Sequence, residues 1–513
     1  MMHRSLILIF LCSCSVLIAD VPDGGVIPES CPRFDPIGHQ CVPVMGTEVR
    51  CRNAESLRRD HSWARDAAVV RYAAPQGTGD GSSAEQADSL SDLIAAAGNE
   101  STAIILSQGT YTVSGSLALG VRGPLSLIGS CAAQTTLELD ATMTAHNDTI
   151  QIYGLSVRGP LNAEEGTNAS AIEVRGVGTV KIMQSVISAP AGHGIVTAAT
   201  GSGDGVLISG VTFNEVRNSG IGASDALGSW TISGNVSKGP IGRHGVFFNS
   251  GDATVSISEN QLATVSISEN QLESIDGDAI RATGALGSWT ISGNVSKGPI
   301  GGDGISFAGG HTDASVTITN NEFEQIDGNG VSAQDALGSW TISGNVSRGP
   351  IGGHAMHFHN QGGTISLNNN TITGGDGVTA GTAKGILASE GSAAWTVTGN
   401  SINGVLDQGP QVGVGFRNLE AEGSLTINDN TINGVGGVGI GIKNNLSTVA
   451  VNANTISETW SNTGGGPLAR VGLGLALVDA TKVTMTSNTI SNNAFAGVLI
   501  DLKDWDDANG VAT

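Results

Sequence analysis

The sequence is poor in charge, in basic residues and in aromatic rings. Charged residues occupy 14% of the 513 positions and aromatic residues 4%. Lys and Arg number 24 against 46 Asp and Glu, so the formal net charge is −22. A chain this acidic lacks the cationic surface that binds nucleic acid or docks on anionic lipid. We therefore expect neither nucleic acid nor a bare lipid surface as a partner.

Long apolar runs are also missing. No stretch reaches the roughly 20 residues that a membrane-spanning helix needs. The N-terminus has a short basic region followed by the apolar run Leu6–Leu11, which is typical of a secretory signal. Two alternatives stay open: Leu11–Cys14 resembles a bacterial lipobox with Cys14 as the lipidated residue, or cleavage follows Ala19. Both predict export to the cell surface, outer membrane or extracellular space, with membrane contact only through a lipid anchor.

Cysteine is scarce, with six residues in the whole chain. Four remain for pairing once the predicted signal is removed: Cys31, Cys41, Cys51 and Cys131. In an exported chain, four cysteines favour two disulfides, for which three connectivities are open. A metal site is the weaker alternative, because the sequence has no Cys-x-x-Cys pair.

Glycine and internal repetition are abundant. The chain has 75 Gly, and near-identical blocks reading Leu-Gly-Ser-Trp-Thr-Ile-Ser-Gly-Asn-Val-Ser begin at Leu227, Leu286 and Leu337. The segment Ala253–Leu262 is repeated at once as Ala263–Leu272. A shorter motif, an apolar residue followed three positions later by Asn, recurs at steps of 24 to 35 residues. We place its Asn at Asn235, Asn270, Asn294, Asn320, Asn345, Asn370, Asn400, Asn430, Asn454 and Asn488, with Val211, Ser185 and Leu155 in weaker upstream copies.

The repeat predicts the fold. Each unit has short alternating strands and Gly-rich corners without a helical period. A unit of about 25 residues cannot bury its own apolar side, whereas stacked units can. The prediction is all-β: a single-stranded right-handed parallel β-helix of about 13 turns, each about 4.8 Å above the last. The spacing over Leu90–Ala97, with Asp88 or Ser89 as N-cap, predicts a short N-terminal helix that caps the first turn.

Composition changes divide the chain into four predicted segments. Residues 1–19 are the signal peptide, of lipoprotein or ordinary type, and residues 20–68 are a Cys-containing N-terminal segment. Residues 69–505 form the β-helix, and residues 506–513 are an acidic tail.

Several short motifs connect the repeats to a known family. They are Gly79–Ser83, Gly109–Tyr111, Gly129–Cys131 and repeats such as Thr396–Ile402. With these motifs, residues 69–500 resemble the pectate-lyase-like family of secreted bacterial β-helix proteins. The resemblance implies a right-handed β-helix. That family includes polysaccharide lyases, hydrolases and epimerases together with proteins that have no catalysis, so it implies no single activity.

One repeat position, just before a Gly–apolar or Ala–apolar pair, is polar on successive turns. It holds His193, Ser219, His244, Asp278, Asp303, Asn329, His354 and Lys384. Stacking places these residues in one line, so Asp278 and Asp303 should repel, raise one pKa, or bind a cation such as Ca²⁺. The candidates for acid–base catalysis are Asp278, Asp303, His244 and His354. The alternative is an ordinary polar corner.

Four Trp residues form a second column. Trp230, Trp289, Trp340 and Trp395 each lie five residues before a motif Asn. Exposed, they would bind sugar rings and are the glycan-binding candidates. They share strand parity with the apolar Ile232, which favours packing in the core or at a corner.

A histidine cluster is the third candidate site. His357 and His359 alternate with Met356 and Phe358, so both imidazoles should face outward, with His354 at the preceding corner. Three imidazoles on one surface can bind Zn²⁺ or act as acid and base near neutral pH. The alternative is a solvated polar patch.

Two functions are consistent with these features. The first is an exported cell-surface β-helix that binds glycans without catalysis or serves as a rigid spacer, since a spacer tolerates the observed duplications. The alternative is a polysaccharide-active enzyme, a lyase, hydrolase or epimerase, that uses the Asp/His column on the outer face. The expected partner is a polysaccharide or cell-envelope glycan. No cofactor is indicated beyond a divalent cation, Ca²⁺ or Zn²⁺.

Overall fold

The chain divides into two compact units, residues 1–50 and 51–513. The computed structural model describes residues 34–35, 40–41, 51–119, 123–146, 149–160, 169–175, 179–198, 205–224, 229–249, 264–284, 288–309, 314–335, 337–374, 384–404, 412–420, 422–444, 448–459, 471–477, 482–494 and 496–501. The predicted signal peptide, Cys14, Cys31 and the acidic tail lie outside these residues. In the first unit, β1 (Phe34–Asp35) pairs antiparallel with β2 (Gln40–Cys41).

The second unit begins with short helices. α1 (Ala54–Asp60) is capped by Asn53, whose side chain accepts a hydrogen bond from Ser56 N. α2 (Ser62–Arg65) follows directly. α3 (Leu90–Ala96) is the predicted capping helix, with Ser89 as its N-cap. No helix among the described residues is both long enough and apolar enough to cross a bilayer.

The remaining elements form three long sheets. The first contains β3 (Val69–Ala73), β4 (Thr102–Leu106), β7 (Leu125–Gly129), β10 (Ile150–Tyr153), β13 (Val180–Met183), β16 (Gly205–Ser209), β19 (Ser229–Ser233), β22 (Thr264–Ser268), β25 (Ser288–Ser292), β28 (Ser315–Thr319), β31 (Ser339–Ser343), β34 (Thr364–Asn368), β37 (Ala394–Thr398), β40 (Ser424–Asn428), β43 (Thr448–Asn452) and β46 (Lys482–Thr486). The second contains β5 (Gly109–Val113), β8 (Thr135–Leu139), β11 (Ser156–Arg158), β14 (Val186–Ala189), β17 (Thr212–Val216), β20 (Val236–Ser237), β23 (Gln271–Leu272), β26 (Val295–Ile300), β29 (Glu322–Ile326), β32 (Val346–Ile351), β35 (Thr371–Gly374), β38 (Ser401–Asn403), β41 (Thr431–Asn433), β44 (Thr455–Ser457) and β47 (Thr489–Ser491). The third contains β6 (Leu117–Leu119), β9 (Met143–His146), β12 (Ser170–Arg175), β15 (His193–Ala198), β18 (Ile221–Ser224), β21 (Val246–Asn249), β24 (Ile280–Thr283), β27 (Ile305–Ala308), β30 (Val331–Gln334), β33 (Met356–Gln361), β36 (Lys384–Gly391), β39 (Val412–Arg417), β42 (Val438–Asn444), β45 (Val471–Leu477) and β48 (Ala496–Asp501).

Each coil contributes one strand to each sheet and pairs in parallel with the coils before and after it. The predicted parallel β-helix is therefore confirmed. In the described part of the chain the sheets have 16, 15 and 15 strands, against the predicted count of about 13 turns. The repeat motif understates the number of coils, because the earliest ones carry other residues at the Asn position.

A continuous Asn ladder runs inside the stack. Asn294 N and Nδ2 both donate to Asn321 Oδ1, at 3.0 and 2.9 Å, and Asn321 Nδ2 donates to Asn345 Oδ1 at 2.9 Å. The same pattern extends from Asn235 to Asn488. The upstream copies are also confirmed, since Val211 N donates to Asn235 Oδ1.

The predicted ladder position Asn320 is wrong. Ile318 lies opposite Ile342 in the first sheet, so the Asn three residues after it, Asn321, takes the ladder position. Asn320 is exposed and adopts a left-handed backbone with φ of 55°.

The Trp column lies in the core. Trp230, Trp289, Trp340 and Trp395 are only 1–4% exposed. Their rings meet Phe rings edge-on; Trp395, for example, lies 5.2 Å from Phe358 and 5.3 Å from Phe416 between ring centroids. The glycan-binding role is therefore excluded for all four, because strand alternation turns them inward. Core packing, the favoured interpretation, is what the structure shows.

A second, smaller core covers the outer face of the first sheet. Leu57 of α1 and Trp63 of α2 pack on Tyr72, Ile105 and Ile128. A disulfide joins Cys51 to Cys131 and fixes one of the predicted pairings. Residues 51–68, which the sequence assigned to the Cys-containing segment, thus belong to the same compact unit as the β-helix. A pairing of Cys31 with Cys41 stays a prediction.

Candidate functional site

The outer face of the third sheet brings the predicted polar column together. The corner column, as we call it, consists of His193, Ser219, His244, Asp278, Asp303, Asn329, His354, Lys384, Val412, Val438 and Val471, one residue per coil. The register supports this alignment, because Lys384 lies opposite Val412 and Val412 opposite Val438. The column is polar over its first eight coils and aliphatic over its last three.

The polar corner residues form a second ladder. Asp278 N donates to His244 Nδ1 at 3.1 Å, and Asp303 N donates to Asp278 Oδ1 at 2.7 Å. Asn329 N donates to Asp303 Oδ1 at 2.6 Å, and His354 N donates to Asn329 Oδ1 at 2.7 Å. Each side chain thus satisfies a backbone N–H of the next coil, which is a role in the fold.

Asp278 is held as an ion pair and is 6% exposed. Its Oδ2 lies 3.0 Å from Arg281 Nη1 and 4.0 Å from His244 Nδ1. The guanidinium therefore occupies the place that a bound cation would take beside this carboxylate. Arg281 lies opposite Phe247 in the neighbouring strand of the third sheet.

Asp278 and Asp303 lie in different electrostatic surroundings. Burial raises the pKa of Asp303 above its ordinary value, and the Asp278 carboxylate raises it further, whereas hydrogen bonds from Asn329 and Ser332 oppose the shift. The sequence predicted a raised pKa in this pair from repulsion, but burial is the larger cause of the rise at Asp303. Burial also lowers the pKa of His244, and its Nδ1 accepts a hydrogen bond from Asp278 N.

An open depression adjoins this part of the column. It has a volume of about 540 Å³ and is lined by Arg243, His244, Phe247 and Arg281, among others. Phe247 is half-buried on the outer face, with its ring 5.1 Å from the His244 ring. Asp278 lies beneath Arg281 and does not line the depression. Two cations, the carboxylate of Asp276, an imidazole and an aromatic ring therefore share one concave surface.

The three-histidine metal site is not formed. The rings of His354 and His357 lie 4.9 Å apart, but His359 lies toward the next coil. Its Nδ1 is 3.1 Å from Ser389 Oγ and its Nε2 is 3.7 Å from Glu390. No group of three or more metal-ligating side chains could hold an ion in the part of the chain that the structure describes. The outward direction of His357 and His359 is confirmed, with Met356 and Phe358 buried at 1% and 0% exposure.

Sequence reasoning placed the corner column correctly but missed the depression beside it. The repeat pattern singled out neither Arg243 nor Phe247. The sequence signal that could have revealed the depression is Phe247, because a large aromatic side chain is uncommon at an outward-facing strand position.

Residues 303–505 match the family model described as a right handed beta helix region. No curated protein matches the sequence significantly. Several solved structures are similar to this chain in fold. The catalytic unit of a GH87 alpha-1,3-glucanase from Streptomyces thermodiastaticus has a TM-score of 0.40 and 14% identity, covering 85% of this chain and 70% of that one.

Two further solved structures are similar at a lower level. The pectate lyase Pel9A has a TM-score of 0.30 and 14% identity, covering 65% of this chain and 78% of that one. The A-module of a mannuronan C-5 epimerase from Azotobacter vinelandii has a TM-score of 0.26 and 12% identity, covering 77% and 90%. Such likeness assigns no activity. With its three parallel sheets and the matching family region, the chain is a right-handed parallel β-helix.

Proposed function

We propose that the protein is polysaccharide-active and that its sugar chain lies on the outer face of the third sheet, across the depression. The single observation that carries this is the set Arg243, His244, Phe247 and Arg281 on one concave surface. Asp303 lies in the next coil, where its backbone N donates to Asp278. An aromatic ring packs against the apolar face of a sugar ring, and guanidinium groups bind hydroxyl or carboxylate oxygens in a planar fork.

Each side chain has a chemical part in this proposal. Asp278 positions Arg281 by the 3.0 Å ion pair and stays out of contact with the sugar. Asp303 is half-buried and burial raises its pKa, so we assign to it the donation of a proton to a departing glycosidic oxygen. His244 has its Nδ1 engaged by a backbone N–H, so its Nε2 carries the proton and donates a hydrogen bond.

Binding without catalysis is the second candidate. It is favoured by the second ladder, since Asp303 and Asn329 make equivalent bonds to the next backbone N–H. On this candidate the column serves the fold, and the depression alone binds the glycan.

A glycan array followed by product analysis separates the two. Wild type should bind a polysaccharide and release unsaturated or reducing ends. Asp303→Asn is the informative variant, because Asn occupies the equivalent position in the next coil and accepts the same bond. We expect Asp303→Asn to keep binding and to lose at least about 100-fold in rate.

Phe247→Ala is the companion variant and should weaken binding. If wild type binds a glycan and releases no product, catalysis is excluded and the protein binds glycans without catalysis. Full activity of Asp303→Asn would remove Asp303 from the mechanism, and unaltered binding by Phe247→Ala would remove the depression as the glycan site.

A further inference from the structure

The coils nearest the C-terminal end carry an apolar trough on the outer face of the third sheet. Its floor is a row of three glycines in register, Gly415 opposite Gly441 and Gly441 opposite Gly474. The trough is a cavity of about 230 Å³. It lies on the same face as the depression but several coils away.

Aliphatic side chains build one wall and both ends of the trough. The wall is the aliphatic part of the corner column, Val412, Val438 and Val471. Leu387 stands opposite Gly415 at one end and Leu499 opposite Gly474 at the other. From Leu387 to Leu499 is four strand spacings, about 19 Å. Because both ends are closed, the trough suits a short ligand and cannot hold a continuous polymer along the axis.

The opposite edge of the trough is cationic. Arg417 and Lys443 lie opposite each other in adjacent strands, two residues beyond the floor glycines. Two positive side chains on one edge are unusual in a chain with 24 Lys and Arg and a net charge of −22. A ligand that matches this surface has an aliphatic body and an anionic group at one side.

Two of the three floor glycines, Gly441 and Gly474, are not demanded by the fold, whereas a Cβ at Gly415 would lie only 3.2 Å from Val412 Cγ1. A Cβ added at Gly441 would meet Val438 Cγ1 at 3.4 Å, and one at Gly474 would meet it at 3.7 Å, both ordinary contacts. The neighbouring glycine column differs, because a Cβ at Gly413 would come within 2.6 Å of the Gly439 carbonyl oxygen. Sterics therefore exclude larger residues at Gly413 but leave room for them at Gly441 and Gly474.

Apolar residues of the trough lie on the outer face of the third sheet, although apolar side chains in this fold usually face the core. Leu387 and Val471 are 3% and 1% exposed, yet neither belongs to the cores inside the coils or under the N-terminal helices. In earlier coils the same outward columns carry polar residues such as Asp278 and His357. The change from polar to aliphatic marks this stretch as a separate surface.

We infer that the trough binds a small amphipathic anion, with its aliphatic body against the valines and glycines and its carboxylate against Arg417 and Lys443. This site is distinct from the proposed glycan site and does not depend on it.

Calorimetric titration of the full chain with decanoate tests the inference. Wild type should bind decanoate, and decanol, which lacks the charge, should bind at least about tenfold more weakly. Gly441→Leu fills the floor and should abolish binding. Arg417→Gln should weaken it about tenfold by removing one charge.

Gly222→Leu is the matched control. Gly222 lies in the same outward column as the floor glycines, far from the trough, and a Cβ there would meet Val196 at 3.6 Å. This variant should bind decanoate like wild type. Absence of decanoate binding by wild type, or equal binding by Gly441→Leu and Gly222→Leu with wild-type circular dichroism, would overturn the inference.

Discussion

At the scale of single residues, the stack depends on side chains that bond to backbone groups of the neighbouring coil. The Asn ladder is the main case, because each amide both accepts and donates along the axis and is almost fully buried. In such a setting the cost of losing one member comes from the groups left unpaired.

Asn321→Ala should therefore lower the free energy of unfolding by about 3 kcal/mol, since it strands Asn294 N, Ile291 O and part of Asn345. Asn320→Gly is the control, because Asn320 is exposed with positive φ and glycine adopts that backbone freely. Urea denaturation measures both. Equal losses for the two variants would contradict the ladder position.

His61 should make the free energy of unfolding depend on pH. It is 9% exposed, its Nδ1 has no hydrogen-bond partner, and its ring packs edge-on against Trp63 and Tyr153. Burial, with a further contribution from Arg52, lowers its pKa to about 4 from 6.5. The unfolded chain then binds the proton more readily, so this stability is present above pH 6.5 and is lost as pH falls toward 4.

Between pH 7.5 and 4.5 we expect His61 to account for a loss of about 2 to 3 kcal/mol in the free energy of unfolding. Urea denaturation of wild type and His61→Phe at pH 7.5 and at pH 4.5 isolates the contribution of His61. The same pH dependence in the two proteins would show that His61 is not its source.

At the scale of elements, Trp rings of the first sheet alternate in the core with Phe rings of the third sheet. Trp395→Ala should cost about 3 to 5 kcal/mol, because a large cavity opens between Phe358 and Phe416. Trp395→Phe should cost clearly less, since it keeps a ring and removes an Nε1 that is buried without a partner. Denaturation midpoints compare the two. A similar loss in both would mean that the cavity is not the cause.

The sequence holds two tandem copies, Ala253–Leu262 and Ala263–Leu272, and we expect the coil to need only one of them to keep its register. Strand β22 and Asn270 place the second copy in the stack, whereas the first copy lies outside the described residues. Deleting Ala253–Leu262 yields the same protein as deleting Ala263–Leu272. We expect an unchanged or raised melting temperature, because one copy suffices for the coil and a shorter loop costs less entropy.

The matched control is deletion of the ten residues Thr364–Thr373, which form parts of two strands in one coil. That variant should lose most of its stability. A comparable loss on deleting the duplicated copy would refute the idea that one copy is dispensable.

At the scale of the whole second unit, one continuous core joins the coils from Ala73 to Leu475. We expect a single unfolding transition with β-type circular dichroism, because no described coil interrupts the core. Far-ultraviolet dichroism and Trp fluorescence should give coincident curves. Separate transitions would show that groups of coils unfold independently, as repeat arrays can.

The sequence alone determined the fold, the inward Trp column and the outward histidines, because the coil repeat and strand alternation are local patterns. The ladder position Asn321 needed strand register, which a doubled Asn leaves ambiguous. Three features came only from the tertiary structure: Arg281 covering Asp278, the docking of α1 and α2, and the separation of His359 from His354 and His357. These depend on contacts between coils that lie 25 or more residues apart, and a repeat pattern states which residues align without stating how their side chains meet.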